Sequence, residues 1–196
     1  MEHVLVVPNE QVQGLLSQTG FVAGDRAQLE AILVGAQYLE RNLAEGDPRY
    51  RQLIPYVVVL QSGLVLTMQR LKAQSESRLH MKLSCGVGGH INPCDGPMDE
   101  VVIMRAATRE VEEEVYIQNF EHDLLHFVGF INDDSTAVSR DHLGCVYLLN
   151  VQGLVEIRET DMMTGAFLCI SELRARFNEL ESWSQLILPK LENGQV

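Results

Sequence analysis

Apolar residues recur along this chain in two rhythms. Residues 55–70 hold two runs, VVVL and LVLTM, rich in β-branched and aliphatic side chains and separated by Ser62-Gly63, the pattern of a hairpin or strand pair. Residues 3–8 (HVLVVP), 125–131 (LHFVGFI) and 143–151 (LGCVYLLNV) predict further strands, and 167–170 a short one. Helical spacing of Ala27, Leu29, Ile32, Leu33, Ala36 and Leu39 predicts a helix from Asp25 through residue 41. A shorter helix is expected over 9–18 with Asn9 as its N-cap. Residues 98–115 lack Gly and Pro and read as one long helix; 171–180 read as a C-terminal helix opened by half a capping box, Ser171 followed by Arg174. Gly46-Asp47-Pro48, the glycine-rich 86–90, the loop with Pro93, Gly96 and Pro97, and the polar connector 132–140 punctuate these elements. Strands on both sides of a central acidic helix predict an α/β (α+β) sandwich with a mixed sheet.

Composition narrows the class. Hydrophobic residues make up 46% of 196 positions and charged residues 21%, which excludes disordered, collagen-like and coiled-coil chains. No run approaches the ~18 uncharged apolar residues of a spanning helix, so no membrane partner is expected. The opening MEHVLVVPNE has neither a basic start nor a long apolar stretch; no leader is expected, and the expected location is cytoplasmic. Cys85, Cys94, Cys145 and Cys169 form no C-x-x-C pair, and Cys85, His90 and Cys94 match no common zinc spacing, so reduced thiols are expected.

The net charge of −12 is lopsided. Residues 1–98 carry 8 Lys and Arg against 9 Asp and Glu; residues 99–196 carry 7 against 18. Such a surface repels phosphate backbones, so no nucleic-acid duplex is expected as partner. Part of the acid is concentrated in Arg109-Glu110-Val111-Glu112-Glu113-Glu114-Val115. On a helix Glu110, Glu113 and Glu114 stand at i, i+3 and i+4 and share a face, where each like-charge pair costs ~0.2–0.5 kcal/mol. A solvated face is one reading; compensation by a hard divalent cation, Mg²⁺ or Mn²⁺, is the other. Arg109 lies four residues before Glu113, within ion-pair reach.

Together with the upstream glycines these residues resemble the Nudix box, G-x5-E-x7-R-E-U-x-E-E-x-G-U with U a bulky aliphatic residue. Gly88-Gly89-His90-Ile91 resembles its glycine-led start, Arg109 to Glu114 its helical half, and Ile117 its last aliphatic position. Gly88 and Arg109 are 21 positions apart, so the loop carries about seven residues beyond the pattern; counting back from Arg109 places the first Glu at Val101, beside Asp99 and Glu100; Tyr116 stands for the last Gly. The string 83–91 (LSCGVGGHI) with Asp95-Gly96 is most similar to a bacterial subgroup of predicted phosphoesterases. The resemblance covers about 55–180 and implies a Nudix-like α/β/α sandwich over 51–196. Residues 1–50 are expected as an N-terminal extension of strand and helices serving as a dimerisation or lid element, with a homodimer as the expected assembly.

The resemblance further implies Mg²⁺ (or Mn²⁺)-dependent hydrolysis of a nucleoside diphosphate linked to another moiety, a pyrophosphohydrolase with a small nucleotide-type substrate. Glu110, Glu113 and Glu114 would hold the metal, Arg109 would orient them, and Gly88 and Gly89 would help position phosphates. A later acid, Glu159 or Asp161, would serve as base or ligand, with Asp133 and Asp134 weaker choices. Arg70 and Arg78 would meet substrate phosphates, or else be solvated surface. Tyr147, Phe130 and Trp183 are expected to be packing residues. Two alternatives remain: a non-catalytic Nudix-like module binding a nucleotide metabolite, and an isopentenyl-diphosphate-isomerase-like enzyme, kept open by Cys85.

Overall fold

The computed structural model describes residues 1–71, 82–99, 101–158 and 160–194. Its central strand is β4 (Tyr50–Gln61), which runs parallel to β9 (His142–Asn150) from Gln52↔His142 to Leu60↔Asn150. On the far side of β9 lie β8 (Leu125–Asn132) and then β2 (Gly20–Ala23), both antiparallel to their neighbours. On the other side, β4 turns at Ser62-Gly63 into β5 (Leu64–Arg70), and the sheet ends at β11 (Met163–Leu168). Both turn residues have positive φ (52° and 79°), as a two-residue hairpin of the right twist requires.

β4 pairs β5 only at its C-terminal end and β1 (His3–Pro8) only at its N-terminal end. The glycine-rich segment closes the gap between them. β6 (Leu83–Ser84) pairs β5, Val87 exchanges two backbone hydrogen bonds with Val57 (2.7 and 2.9 Å), and Leu5 N donates to Ile91 O (2.9 Å). A Cβ on Gly88 would collide with the Pro55 carbonyl, and one on Gly86 with the Tyr56 ring. These glycines let two backbones touch where a side chain would force them apart.

Both faces of the sheet are covered. On one, helix α4 (Val102–Glu114) buries Val102, Ile103, Ala106, Ala107 and Val111 completely. That stripe repeats at helical spacing, and each large apolar side chain so buried contributes about 1.5–3 kcal/mol. Helices α1 (Asn9–Leu16) and α2 (Arg26–Leu33) add Val12, Leu29 and Ile32 to the same core, and the one-turn α3 (Arg41–Ala44) lies against β1 and buries Ala44. On the other face, α6 (Ile170–Ala175) and α7 (Ser182–Glu192) cover Val58, Ile131 and Val146 with Leu173, Ile187 and Leu188. This is an α/β/α sandwich with a mixed sheet. Residues 1–50 are woven into it: β1 pairs β4 and β3 (Gln37–Glu40), β2 pairs β8, and Leu5, Val7 and Val12 lie in the core shared with α4.

Several sequence expectations need correction. The helix opened by Asp25 stops at Leu33; Gly35 follows, packed closely on the Gln11 side chain, and the chain turns into β3. Asp25 does cap it, in a capping box with Gln28. Asn9 is not an N-cap; its side chain instead donates to Pro48 O at 2.5 Å. The late strand begins at Met163, pulled into register by β5, and Cys169 with Glu172, not Ser171 with Arg174, caps the next helix. Trp183 lies inside α7, a further helix that carries Pro189 in its interior. The connector after β8 contains α5 (Ala137–Arg140), capped by Thr136. No helix among the described residues is long and apolar enough to cross a membrane.

Candidate active site

The C-terminal half of α4 and the glycine segment meet at the Gly89–Glu110 contact: a Cβ on Gly89 would collide with the Glu110 carboxylate. Arg109 organises the surroundings. Its Nε and Nη2 donate to Asp95 Oδ1 and Oδ2 at 2.6 and 3.1 Å, and Nη2 also donates to His90 O at 2.9 Å. Its Nη1 donates to Glu110 Oε1 at 2.7 Å and lies 3.4 Å from Glu113 Oε2. Burial raises the Glu110 carboxyl above its ordinary range, although Arg109 pulls the other way. The Arg109 guanidinium is pushed up, chiefly by its hydrogen bond with Asp95.

Asp95 was missed by counting back from Arg109. It stands six positions after Gly89, where the box has its first acid, so the extra residues follow this acid and do not precede it. The signal was the spacing Gly89-x5-Asp95. Its side chain is 2% exposed, and Asn92 N donates to Oδ2 at 2.7 Å. The inserted loop is tied down by Arg105, which donates to Asp95 O and Pro97 O (both 2.5 Å) and pairs with Asp99 at 2.8 Å. Val101 only precedes α4. The missing last Gly is also explained: α4 runs directly into the extended β7 (Val115–Ile117), which pairs with β10 (Val155–Ile157), so no left-handed residue is needed at Tyr116.

A cleft of about 720 Å³ opens beside this end of α4. Its wall includes Gly88, Gly89, Glu114 and Arg70, and Arg70 Nη2 stands 3.3 Å from Glu114 Oε1. Glu110 lies behind Gly89, and neither it nor Glu113 nor Arg109 is on the wall itself. The Glu110 and Glu114 side chains are each 12% exposed, that of Glu113 55%. Among the described residues no three His, Cys, Asp or Glu side chains already surround a common point. Arg78 and Glu159 lie outside the described residues. Asp161 is exposed; Asp133 is buried and accepts from Ser135 N, off the cleft wall. Tyr147 and Phe130 are core residues, both packed on Phe127.

Further along, the cleft is lined by Lys82, Tyr56, Glu181, Trp183, His142 and His90, with Arg41 and Glu45 from the N-terminal segment. Burial, with Arg41 and His142 nearby, lowers His90 to about 4. Cys85 is fully buried and burial pushes its thiol up to about 11, so it offers no reactive thiolate near neutrality.

The chain is 36% identical over 204 residues to the protein YmaB of Bacillus subtilis, covering 97% of this chain and 98% of the relative. It is 30% identical to Tm1382, a candidate Nudix hydrolase whose crystal structure superposes with a TM-score of 0.82, covering 98% and 99% of the two chains. The chain belongs to the Nudix hydrolase superfamily. Nudix hydrolases act on phosphoanhydride bonds and in general use divalent metals, so this member is an enzyme of that class. No family model matches the chain. A bifunctional NMN adenylyltransferase/ADP ribose pyrophosphatase of Francisella tularensis, complexed with AMP and a manganese ion, shares the fold: TM-score 0.55, 21% identity, 73% of this chain and 42% of that one.

Proposed function

We propose that this Nudix enzyme hydrolyses a nucleoside diphosphate linked to a second moiety, with Mg²⁺ or Mn²⁺ held by Glu110, Glu113 and Glu114. The observation that carries the reading is the Arg70–Glu114 pair on the cleft wall beside the Gly88-Gly89 backbone. A cation and a hard oxygen ligand stand side by side where a phosphate chain meets the protein. The donor set fits a hard divalent cation: three carboxylates within five residues of one helix, two of them nearly withdrawn from solvent. When bound, such an ion neutralises phosphate charge and lowers the pKa of a bound water.

The chain's own residues then have separate tasks. Arg70 neutralises a non-bridging phosphate oxygen and in doing so gives up part of its hold on Glu114. Gly88 and Gly89 present backbone to the phosphates on the cleft wall, and having no Cβ they can lie directly against the Pro55 carbonyl and the Glu110 carboxylate. Arg109, locked by Asp95, keeps Glu110 and Glu113 on the correct side of α4 and limits the repulsion between them. The substrate moieties occupy the rest of the cleft.

Incubation with ADP-ribose, dinucleoside polyphosphates, NADH, coenzyme A and nucleoside triphosphates tests the reading. Mg²⁺ or Mn²⁺ should yield two phosphorylated fragments from at least one linked diphosphate, or nucleoside monophosphate plus pyrophosphate from a triphosphate, and excess EDTA should abolish it. Activity that persists in EDTA, or release of inorganic phosphate from monoesters alone, would overturn it.

A further inference from the structure

We infer that β11 is the interaction surface for a second copy of this chain, the two strands pairing antiparallel about a two-fold axis at Gly165 and joining the two sheets into one.

β11 is the last strand of the sheet, beyond β5. Leu71 N donates to Met162 O at 2.7 Å, and the pairing runs without a break from Met163↔Arg70 to Leu168↔Val65. Alternation along an antiparallel ladder therefore turns the N–H and C=O groups of Thr164, Ala166 and Leu168 toward β5 and those of Met163, Gly165 and Phe167 outward. Among the described residues no backbone or side-chain group pairs with this outward row. Residues 164–166 are exposed.

Other edges of the sheet are shielded. β2 and β3 have four residues each; β3 ends in Glu40, and α7 packs against β2. β11 has six residues, and from Met162 to Ile170 the chain has no charged residue and no proline. An edge without charge, proline or bulge is a template for another strand.

Self-complementarity selects the occupant. Met163 and Phe167 turn their side chains into the core under α4, so Thr164 and Ala166 point to the opposite surface. A two-fold axis perpendicular to the sheet keeps these surfaces aligned, and each residue must then face one of the same parity. With the axis at Gly165, that residue faces its own copy and Met163 faces the partner's Phe167. Each outward residue exchanges both of its hydrogen bonds. Thr164 faces the partner's Ala166, and Asp161 faces the partner's Cys169. No acid meets an acid along the strand, although the chain carries a net charge of −12. A foreign strand would find no charge on this edge to select it, whereas a second copy matches it in length, polarity and register.

The side chains permit the approach. Gly165 has no Cβ, and Ile157 Cδ1 lies 2.7 Å from where one would stand. The two Ile157 side chains therefore flank the axis. A groove of about 590 Å³ runs beside β11, lined in part by Val155, Ile157 and Phe167. Two such grooves brought together withdraw apolar surface from water.

Sedimentation equilibrium of the wild type should give twice the chain mass of 22.0 kDa, falling toward 22.0 kDa on dilution. Thr164→Lys combined with Ala166→Lys sets lysine against lysine on both sides of the axis and should weaken the dimer about tenfold or more. That variant has a smaller net negative charge than the wild type, so relief of overall repulsion would act in the opposite direction. Thr164→Lys combined with Ala166→Glu sets opposite charges face to face and should restore wild-type association. Both positions are exposed, and circular dichroism establishes that each variant is folded. Thr164→Cys combined with Ala166→Cys places thiols across a non-hydrogen-bonded pair, with Cα atoms about 4.5 Å apart, and mild oxidation should link residue 164 of one copy to residue 166 of the other. Either single cysteine variant should not link there. A wild type that stays at 22.0 kDa at ~100 µM overturns the inference and leaves the edge to a strand of another protein. A dimer indifferent to the paired lysines, or one in which mass spectrometry finds no 164–166 disulfide, overturns it as well.

Discussion

At the α4 end of the cleft, charge is balanced by charge: Arg109 lies within 3.4 Å of Asp95, Glu110 and Glu113, and Arg70 lies 3.3 Å from Glu114. At the Trp183 end the single carboxylate of Glu181 is surrounded by neutral donors, the Tyr56 and Ser184 hydroxyls and the backbone N–H groups of Trp183 and Ser184. Ion pairs can be exchanged for a bound cation or phosphate with little movement. A ring of neutral donors around a capping carboxylate cannot be exchanged without loosening the helix. The first end is built to be rewired by ligands, the second to stay put.

The largest separation between the two should come from Glu114→Gln. Glu114 is a proposed ligand of the cation that offsets developing charge, so its loss should lower kcat by about 10²–10³-fold, the effect typical of one electrostatic stabiliser. Glutamine keeps the shape and much the same helix propensity, so the fold should survive. Steady-state kinetics beside a thermal melt measures both; loss of fold instead of rate would make Glu114 a structural partner of Arg70.

Asp95→Asn should act mainly on stability. It leaves the half-withdrawn Arg109 guanidinium without its principal anion, and breaking a buried pair in this way costs about 3 kcal/mol. Urea unfolding is the measurement, and a change under ~1 kcal/mol would show that Glu110 and Glu113 suffice to hold Arg109.

Acid should weaken the fold through His90. The folded state takes up its proton only near pH 4, whereas the unfolded chain does so near 6.5. The lowered value means that this contribution to stability is present above the unfolded value and is lost as pH falls from 6.5 toward 4. It amounts to roughly 2–3 kcal/mol at the acid limit. His90→Gln should flatten that part of the stability–pH curve.

The smallest effect belongs to Tyr56→Phe. It deletes a hydroxyl that bonds both the Glu181 carboxylate and Ser184 Oγ and should cost about 1.5–2 kcal/mol in unfolding free energy. A loss as large as that of Asp95→Asn would erase the contrast between the two ends.

The same contrast governs what the chain reveals on reading. The α4 end is local: Arg109 to Glu114 lie in one helical run, so spacing alone places Glu110, Glu113 and Glu114 together. The hairpin at Ser62-Gly63 and the strands β1, β8 and β9 are legible for the same reason. Asp95 was hidden because the insertion could be placed on either side of it, and only the closed Arg109–Asp95 pair decides. The aromatic end is non-local: Tyr56, Gly144 and Trp183 come from three distant segments and meet only through the β4–β9 register and the docking of α7. Trp183 therefore reads as packing when taken alone. Residues 1–50 read as an appendage for a like reason, since nothing local announces that β1 pairs with β4 or β2 with β8.

The central claim, that the acidic face of α4 is a cation site, is tested most directly by thermal melting of the wild type and of Glu110→Gln, each with and without Mg²⁺. Saturating metal should raise the melting temperature of the wild type by mass action, about 2.7 kcal/mol of stabilisation at a hundred times Kd. The Glu110→Gln protein, folded and melting cooperatively without metal, should gain far less. An equal gain in both proteins, or none in the wild type with either Mg²⁺ or Mn²⁺, would contradict the account.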